Sequence, residues 1–200
     1  MELHDAIRQR RMARSFEPGR AVHPDVVDRV LDAGRRAPSA GKTQALELLV
    51  LTDDADRARF WHLSFPDSDA RAAFRWQGLF DAPVLVVPVV EADAYTLRYS
   101  ELDKAPSTRG RVDGWPVPYW WVDGGMAVQN MLLTAVDEGL GALFFGLFER
   151  EAATLHAFGV PAGRRALGVV ALGHPRPTDP GRSERRPRRS LGEIAHRGTW

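Results

Sequence analysis

Residues 84–90 constrain the fold of this chain more strongly than any other segment. The run is apolar and rich in β-branched residues, and the turn-forming residues 81–83 introduce it. A short apolar run between turn signals is typical of a strand that is buried inside a sheet. Leu46–Leu51 has the same character and ends at residues 52–54. The sequence therefore predicts a sheet that contains at least these two core strands.

The other predicted elements follow one another in an irregular order. Apolar residues at helical spacing predict helices near residues 2–10, from Pro24 onward, twice within 54–79, over 119–138 and over 149–158, and short apolar runs predict strands over 141–147 and 166–172. This order lacks the regular alternation of a doubly wound sheet, which indicates an α+β fold with helices around a small sheet. A length of 200 residues favours a single domain.

Three segments have a distinct character. Residues 93–118 hold no period, and because a loop of that length in a small domain is typical of function, we predict a lid. The helix over 119–138 carries few charges, which predicts that it is largely buried and ends at Gly139, a natural C-cap. Residues 175–200 form a basic tail.

The composition argues against several classes of function. The formal net charge of +1 provides no field that would draw the protein onto nucleic acid. The chain has no cysteine, and its six histidines lie far apart without an HExxH pair, so we predict no metal site. The first residues are charged, and no apolar run approaches the roughly 18 residues of a spanning helix. We therefore expect a soluble, cytoplasmic protein with no membrane partner.

The common nucleotide-binding motifs are incomplete in this sequence. Residues 41–43 (GKT) match the end of a P-loop, but Arg36 stands where that motif requires glycine. Residues 139–141 (GLG) lack the third glycine of a dinucleotide fingerprint. A GxSxG hydrolase elbow is absent as well. The sequence thus supports neither a P-loop nor a Rossmann domain.

Arginines are concentrated near both ends of the chain. They are Arg8, Arg10, Arg11 and Arg14 near the start and Arg182, Arg185, Arg186, Arg188 and Arg189 near the end. Because a planar guanidinium binds phosphate through two parallel hydrogen bonds, both clusters could serve one phosphate if the fold brings the termini together. The alternative is a solvated face and a disordered basic tail, and composition alone favours it.

Five short motifs follow one another along the chain. In order they are Arg10-Arg11-x-x-Arg14-x-Phe16, Arg36-Ala37-Pro38-Ser39-Ala40-Gly41-x-x-Gln44, Asp123-Gly124-x-x-x-x-Gln129-Asn130, Glu138-Gly139-Leu140-Gly141 and Leu191-Gly192-Glu193-Ile194. Each motif is weak alone, but their succession is specific and covers nearly the full length. The whole pattern resembles the nitroreductase-like FMN-dependent oxidoreductases.

This resemblance implies an α+β fold with a small, mainly antiparallel sheet, in a homodimer that exchanges its terminal segments. Residues 175–200 would then wrap the partner subunit, and one FMN per subunit would lie at the interface. The positions that the resemblance assigns to FMN are Arg10, Arg11, Met12, Arg14 and Arg188 around the phosphate, with Arg186 or Arg189 as a substitute for the last, Pro38, Ser39 and Gln44 along the flavin, and Phe145 and Gly146 near N5.

Two residues depart from the family pattern. Met12 stands where many members have serine, which removes one hydroxyl from the phosphate site. Lys42 stands where many members have asparagine. An ammonium group near N1 and O2 of the flavin would stabilise its anionic reduced form and raise its potential.

The activity that the resemblance implies is hydride transfer through flavin N5. The donor would be NADPH or NADH, and the acceptor a nitroaromatic, a quinone or a similar flat molecule, with ping-pong kinetics. The protein then needs no catalytic acid or base of its own. Arg109 and Arg111 favour NADPH. Trp115 and Tyr119 are the candidates for stacking on the acceptor, although the same aromatic residues could instead anchor the core.

Three other functions remain open from the sequence. One is a specialised family member that reduces a metabolite or a deazaflavin, or that consumes its own reduced flavin. Another is a non-catalytic carrier of flavin or deazaflavin, with residues 93–118 closed over the ligand. The third is a nucleic-acid module with a basic tail, which the near-zero net charge disfavours.

Overall fold

A five-stranded antiparallel sheet forms the centre of the fold. The structure is a computed structural model, and it describes residues 1–104, 112, 114–177 and 186–200. The strands are β1 (Leu46–Leu51), β2 (Val84–Glu91), β3 (Gly141–Phe145), β4 (Arg164–Ala166) and β5 (Val169–Gly173). Their order is β1-β2-β5-β3, and β4 pairs with β2. The predicted α+β class and antiparallel sheet are confirmed.

Strand β2 lies at the centre of the sheet because both of its faces are apolar. Successive side chains of a strand point to opposite faces. Leu85 and Val87 accordingly belong to one core cluster, whereas Val84 and Val86 belong to the other. All four side chains are almost completely buried. Such a strand needs a helical layer on each face.

Two helical layers cover the sheet. The helices of the described residues are α1 (Leu3–Gln9), α2 (Pro24–Arg35), α3 (Asp54–Ser64), α4 (Ser68–Ala72), α5 (Asp93–Ser100), α6 (Tyr119–Asp137) and α7 (Glu151–Ala157). Val30 of α2 and Met131 of α6 pack in the core cluster on one face, the α2/α6 face. Phe60 of α3 and Leu155 of α7 pack in the cluster on the other, the α3/α7 face.

The predicted loop over residues 93–118 was wrong in its first part, where the structure has helix α5. Only Tyr95 of this helix is buried, and the sequence of the helix carries no apolar period. Tertiary contacts therefore stabilise the helix in place of an amphipathic face. Residues 105–111 and 113 of the proposed lid lie outside the described residues.

The strand predicted over residues 166–172 is two strands, β4 and β5, separated by a break. Gly168 in the break has φ +147°, and the break lies opposite Pro88 of β2, which has no N–H to pair with a neighbouring strand. Strand β3 ends at Phe145 rather than at residue 147. The other predicted helices and strands are confirmed to within a few residues.

The N-terminal segment borders the sheet beside β3, and its Phe16 is fully buried in the core cluster of the α3/α7 face. Met12 forms a parallel bridge to Ala142 of β3, and Phe16 forms an antiparallel bridge to Pro175. The described tail, residues 186–200, is exposed throughout. It contains a short 3₁₀ helix, Leu191–Glu193, whose start is fixed by a capping box.

In the described part of the chain, no helix combines the length and the apolar character needed to cross a membrane. The same residues hold no group of three or more histidines and carboxylates arranged to bind a metal ion.

Candidate functional site

A cavity of about 560 Å³ opens on the α2/α6 face of the sheet, between α2, α5, α6 and β1. We call it the loop cavity, because residues 38–44, the connection from α2 to β1, form one side of it. Its walls include Pro38, Ser39, Gln44, Leu46, Leu48, Tyr95, Asp123 and Gly124. Three of the predicted flavin contacts, Pro38, Ser39 and Gln44, are therefore brought together.

The 38–44 loop has an unusual backbone. Gly41, Lys42 and Gln44 all have positive φ, at +63°, +55° and +56°. Lysine and glutamine rarely adopt this conformation, because their Cβ meets the following carbonyl oxygen. Within the loop, the Gln44 N–H donates to Ser39 Oγ at 3.1 Å. Strained backbone of this kind is concentrated at functional sites.

Asp123 holds the 38–44 loop through a partly buried hydrogen bond. This residue of α6 is 7% exposed, and its Oδ2 accepts hydrogen bonds from the Ala40 N–H at 2.8 Å and the Tyr95 hydroxyl at 2.6 Å. Burial raises the pKa of Tyr95, and the hydrogen bond to the Asp123 carboxylate raises it further. Tyr95 therefore remains a donor to Asp123 at neutral pH.

A second cavity, of about 770 Å³, lies on the α3/α7 face. We call it the aromatic cavity, because its walls include Trp61, Phe65, Phe74, Trp76, Phe80 and Phe145, together with Arg14, Leu143 and Gly146. The indole N–H groups of Trp61 and Trp76 are buried and have no hydrogen-bond partner. The cavity therefore has flat and largely apolar walls, which suit a planar ligand.

The N-terminal arginines have different surroundings. Arg11 Nη1 donates to the carbonyl oxygens of Arg8 and Arg10, at 2.6 and 3.0 Å. Arg14 donates to the Met12 carbonyl at 3.2 Å, and its guanidinium lies 5.1 Å from the centre of the Trp76 ring. Arg10 differs from both, because its Nη1 is buried and has no hydrogen-bond partner among the described residues. A bound anion would satisfy such a group.

Within one subunit, six of the predicted flavin contacts fall into two sets on opposite faces of the sheet. Pro38, Ser39 and Gln44 line the loop cavity, whose wall residue Leu48 packs in the α2/α6 cluster. Arg14, Phe145 and Gly146 line the aromatic cavity, whose wall residue Leu143 packs in the α3/α7 cluster. One flavin cannot contact both sets of a single subunit, because the sheet separates them.

Arg188, the predicted C-terminal phosphate contact, is exposed. Its neighbour Arg189 donates to the carbonyl oxygen of Glu193. Arg182 and Arg185 lie outside the described residues, as do Arg109 and Arg111.

The candidate acceptor residues form an aromatic chain next to the 38–44 loop. The Trp115 ring packs edge-on against Tyr99 at 4.7 Å and against Tyr119 at 5.3 Å between centroids. Tyr99 in turn lies against Gly41, where a Cβ would fall 2.8 Å from the tyrosine ring. Neither Trp115 nor Tyr119 lines the loop cavity or the aromatic cavity.

Sequence reasoning missed the role of α5 and of the aromatic walls. The spacing of Tyr95, Arg98 and Tyr99 makes them neighbours on one face of a helix. This signal would have been visible if the segment had been predicted as a helix. The aromatic walls come from three separate segments of the chain, so no local pattern predicts them.

Comparison with known proteins shows which protein family this chain matches. A model of the nitroreductase family matches residues 7–174. A protein of Methanothermobacter thermautotrophicus, provisionally named as an NADH dehydrogenase/NAD(P)H nitroreductase, is 27% identical over 178 residues, which cover 88% of this chain and 78% of the relative.

Solved structures share the fold. A provisionally named nitroreductase from Desulfovibrio desulfuricans, crystallised in complex with FMN, has 27% identity and a TM-score of 0.69, and the match covers 100% of this chain and 98% of that one. An FMN-dependent nitroreductase from Clostridium difficile R20291 has 16% identity and a TM-score of 0.68, with 98% of both chains covered. The chain belongs to the nitroreductase family.

Proposed function

We propose that this protein is an FMN-dependent NAD(P)H oxidoreductase that reduces flat acceptors such as nitroaromatics or quinones. The observation that carries the proposal is the buried Nη1 of Arg10, which has no hydrogen-bond partner in the part of the chain that the structure describes. The family pattern assigns the segment around Arg10 to the FMN phosphate. The relative from Desulfovibrio desulfuricans, with 27% identity over the whole chain, holds FMN in its crystal structure.

The residues present fit FMN. A phosphate needs charged donors, and Arg10, Arg11 and Arg14 follow one another in a segment bridged to β3. An isoalloxazine ring needs flat apolar walls, which the aromatic cavity supplies through Trp61, Trp76 and Phe145. Ser39 and Gln44 add polar side chains from the loop cavity.

The protein is proposed to act as a homodimer in which each flavin lies between the loop cavity of one subunit and the arginine segment and aromatic cavity of its partner. The separation of the two sets by the sheet supports this arrangement. Further support comes from large apolar side chains that one subunit leaves exposed, namely Leu3 and Ile7 on α1, Val122 on α6, and Leu191 and Ile194 in the tail. The tail, residues 175–200, is proposed to wrap the partner.

The chain's own residues bind, orient and shield the cofactor. FMN, when bound, supplies the hydride chemistry that links NADPH or NADH to the acceptor. Arg10 neutralises phosphate charge, with Arg188 of the partner subunit proposed as a second donor. The aromatic cavity excludes water, and the Gly146 backbone stays accessible because glycine has no side chain. Trp115 and Tyr119 are proposed to contact the acceptor.

The test is reconstitution of the purified protein with FMN, removal of excess cofactor, and anaerobic addition of NADPH. We expect the oxidised flavin spectrum to be retained with the protein and then bleached by NADPH, and to return on addition of a quinone. Loss of the flavin during removal of the excess would contradict the proposal. Retained flavin that neither NADPH nor NADH bleaches would instead favour a non-catalytic carrier.

A further inference from the structure

We propose that Tyr95 and Asp123 form a buried clamp that positions the 38–44 loop for flavin binding, with helix α5 as its support. This inference rests on the proposed function for its link to the flavin. Tyr95 and Asp123 are positioning residues, because they act on the cofactor through Ala40 and the loop backbone. Residues of α5 and α6 thereby set the geometry of a loop that is distant from both in the sequence.

The clamp depends on one carboxylate oxygen. Asp123 Oδ2 accepts both the Ala40 N–H and the Tyr95 hydroxyl, at 2.8 and 2.6 Å. Asp123 forms no ion pair with any described residue. A buried carboxylate without a cationic partner is costly unless hydrogen bonds satisfy it. These two donors therefore keep Asp123 in place, and Asp123 in turn fixes the Ala40 amide.

A second set of contacts from α5 holds the next residue of the loop. Arg98 Nε donates to the Gly41 carbonyl at 2.8 Å, and paired bonds to Asp103, both 2.7 Å long, hold its guanidinium. The Tyr99 ring packs against Gly41. Tyr95, Arg98 and Tyr99 lie on one face of α5, so the helix contacts both Ala40, through Asp123, and Gly41.

The strain in the loop explains why a clamp is needed. Lys42 and Gln44 keep positive φ values, and such conformations persist only where surrounding structure enforces them. The strained turn presents Ser39 and Gln44 at the loop cavity. Fixing this geometry before the cofactor arrives reduces the ordering cost of binding, and so lowers the dissociation constant for FMN.

The experiment compares three variants of the full-length protein, Asp123→Ala, Asp123→Asn and Tyr95→Phe. Asparagine retains a side-chain oxygen that can accept both hydrogen bonds, so it serves as the conservative variant. Leu155→Ala is the matched control, because Leu155 is 5% exposed in the core of the opposite face and contributes to neither cavity wall. The readouts are amide hydrogen exchange of residues 39–45 without FMN and the FMN dissociation constant.

We expect Asp123→Ala to accelerate exchange in the loop and to raise the FMN dissociation constant, each by about tenfold or more. Tyr95→Phe should have a smaller effect in the same direction, and Asp123→Asn should stay close to the wild type. Leu155→Ala should lower the melting temperature and leave exchange in the loop unchanged. If Asp123→Ala does not fold, Tyr95→Phe and Asp123→Asn decide by the same criteria.

Unchanged loop exchange in Tyr95→Phe and Asp123→Ala would overturn the clamp, as would equal acceleration in Leu155→Ala. Exchange is measured without flavin, so it judges the clamp even if the wild-type protein fails to bind FMN. That failure would contradict the proposed function alone. Faster loop exchange in the two variants with an unchanged FMN dissociation constant would overturn the positioning role.

Discussion

At the scale of single residues, Arg10 stands out from its neighbours. Arg11 and Arg14 direct their guanidinium groups to carbonyl oxygens of the same segment, whereas Arg10 Nη1 is buried and unpartnered. Leaving a charged donor without a partner costs free energy in the folded state. An anion bound at this position would recover that cost. Of these three arginines, Arg10 is therefore the one whose burial depends most on a bound ligand.

Arg10→Ala should therefore weaken FMN binding without lowering the stability of the FMN-free protein. Loss of a charge-assisted hydrogen bond to phosphate, about 2–3 kcal/mol, should raise the FMN dissociation constant by about 30- to 150-fold. Without FMN, the melting temperature should not fall, because the variant removes an unsatisfied buried donor. Fluorescence titration and calorimetry measure the two effects. Arg20→Ala, at an exposed arginine paired with Glu17, is the control and should change neither.

At the scale of elements, the sequence predicts those that local patterns determine. Leu46–Leu51 has its predicted bounds, because its apolar run and its flanking turns lie in the same stretch of sequence. Helix α5 was missed because it is stabilised by contacts with the 38–44 loop and with Asp123, which no local period reveals. The break between β4 and β5 depends on Pro88, far away in the sequence.

In the candidate site, too, local motifs predict some residues, whereas others are found only in the folded chain. The motif order identified Pro38, Ser39 and Gln44, which share the loop cavity. It gave no indication of Tyr95, or of the aromatic walls around Trp61, since both require neighbours that only the folded chain provides. The position of the two cavities on opposite faces of the sheet is a property of the topology, and the spacing of motifs along the sequence does not predict it.

The stability of the sheet should depend on glycine at position 168, in the break between β4 and β5. A Cβ at Gly168 would lie 2.5 Å from the Phe145 carbonyl oxygen, in a backbone with φ +147°. We expect Gly168→Ala to lower the free energy of unfolding by about 3 kcal/mol, from this overlap and backbone strain together. Gly159→Ala isolates the strain, because Gly159 has φ +72° with open space around it. It should cost only about 1 kcal/mol. Equal losses in urea unfolding would contradict the role of the overlap.

At the scale of the whole molecule, the subunit has the features of an incomplete site. Its two cavities lie on opposite faces of the sheet. Apolar side chains remain exposed on α1 and α6, which pack against each other. A second copy of the chain would cover those side chains and bring a loop cavity to an aromatic cavity. Assembly and cofactor binding should therefore be coupled.

Val122→Arg should break this coupling. Val122 is 41% exposed on α6, and an arginine there would place a charge within the proposed interface. We expect the wild-type protein to sediment as a dimer, and the variant to shift toward the monomer and to lose FMN affinity in parallel. Leu102→Arg, at a residue that is 95% exposed and lies on neither helix, is the control. A dimer that survives Val122→Arg with full FMN affinity would contradict the proposed interface.

Complementation between two variant chains shows whether each flavin is held by residues of two subunits. One chain carries Arg10→Ala with Arg14→Ala, and the other carries Ser39→Ala with Gln44→Ala, so that each homodimer is defective in flavin binding. Heterodimers are isolated through two affinity tags, and their bound FMN is quantified. We expect recovery of one intact site per heterodimer, because the unmodified arginine segment of one chain meets the unmodified loop of the other. A heterodimer that retains no more FMN than the two homodimers would contradict the claim.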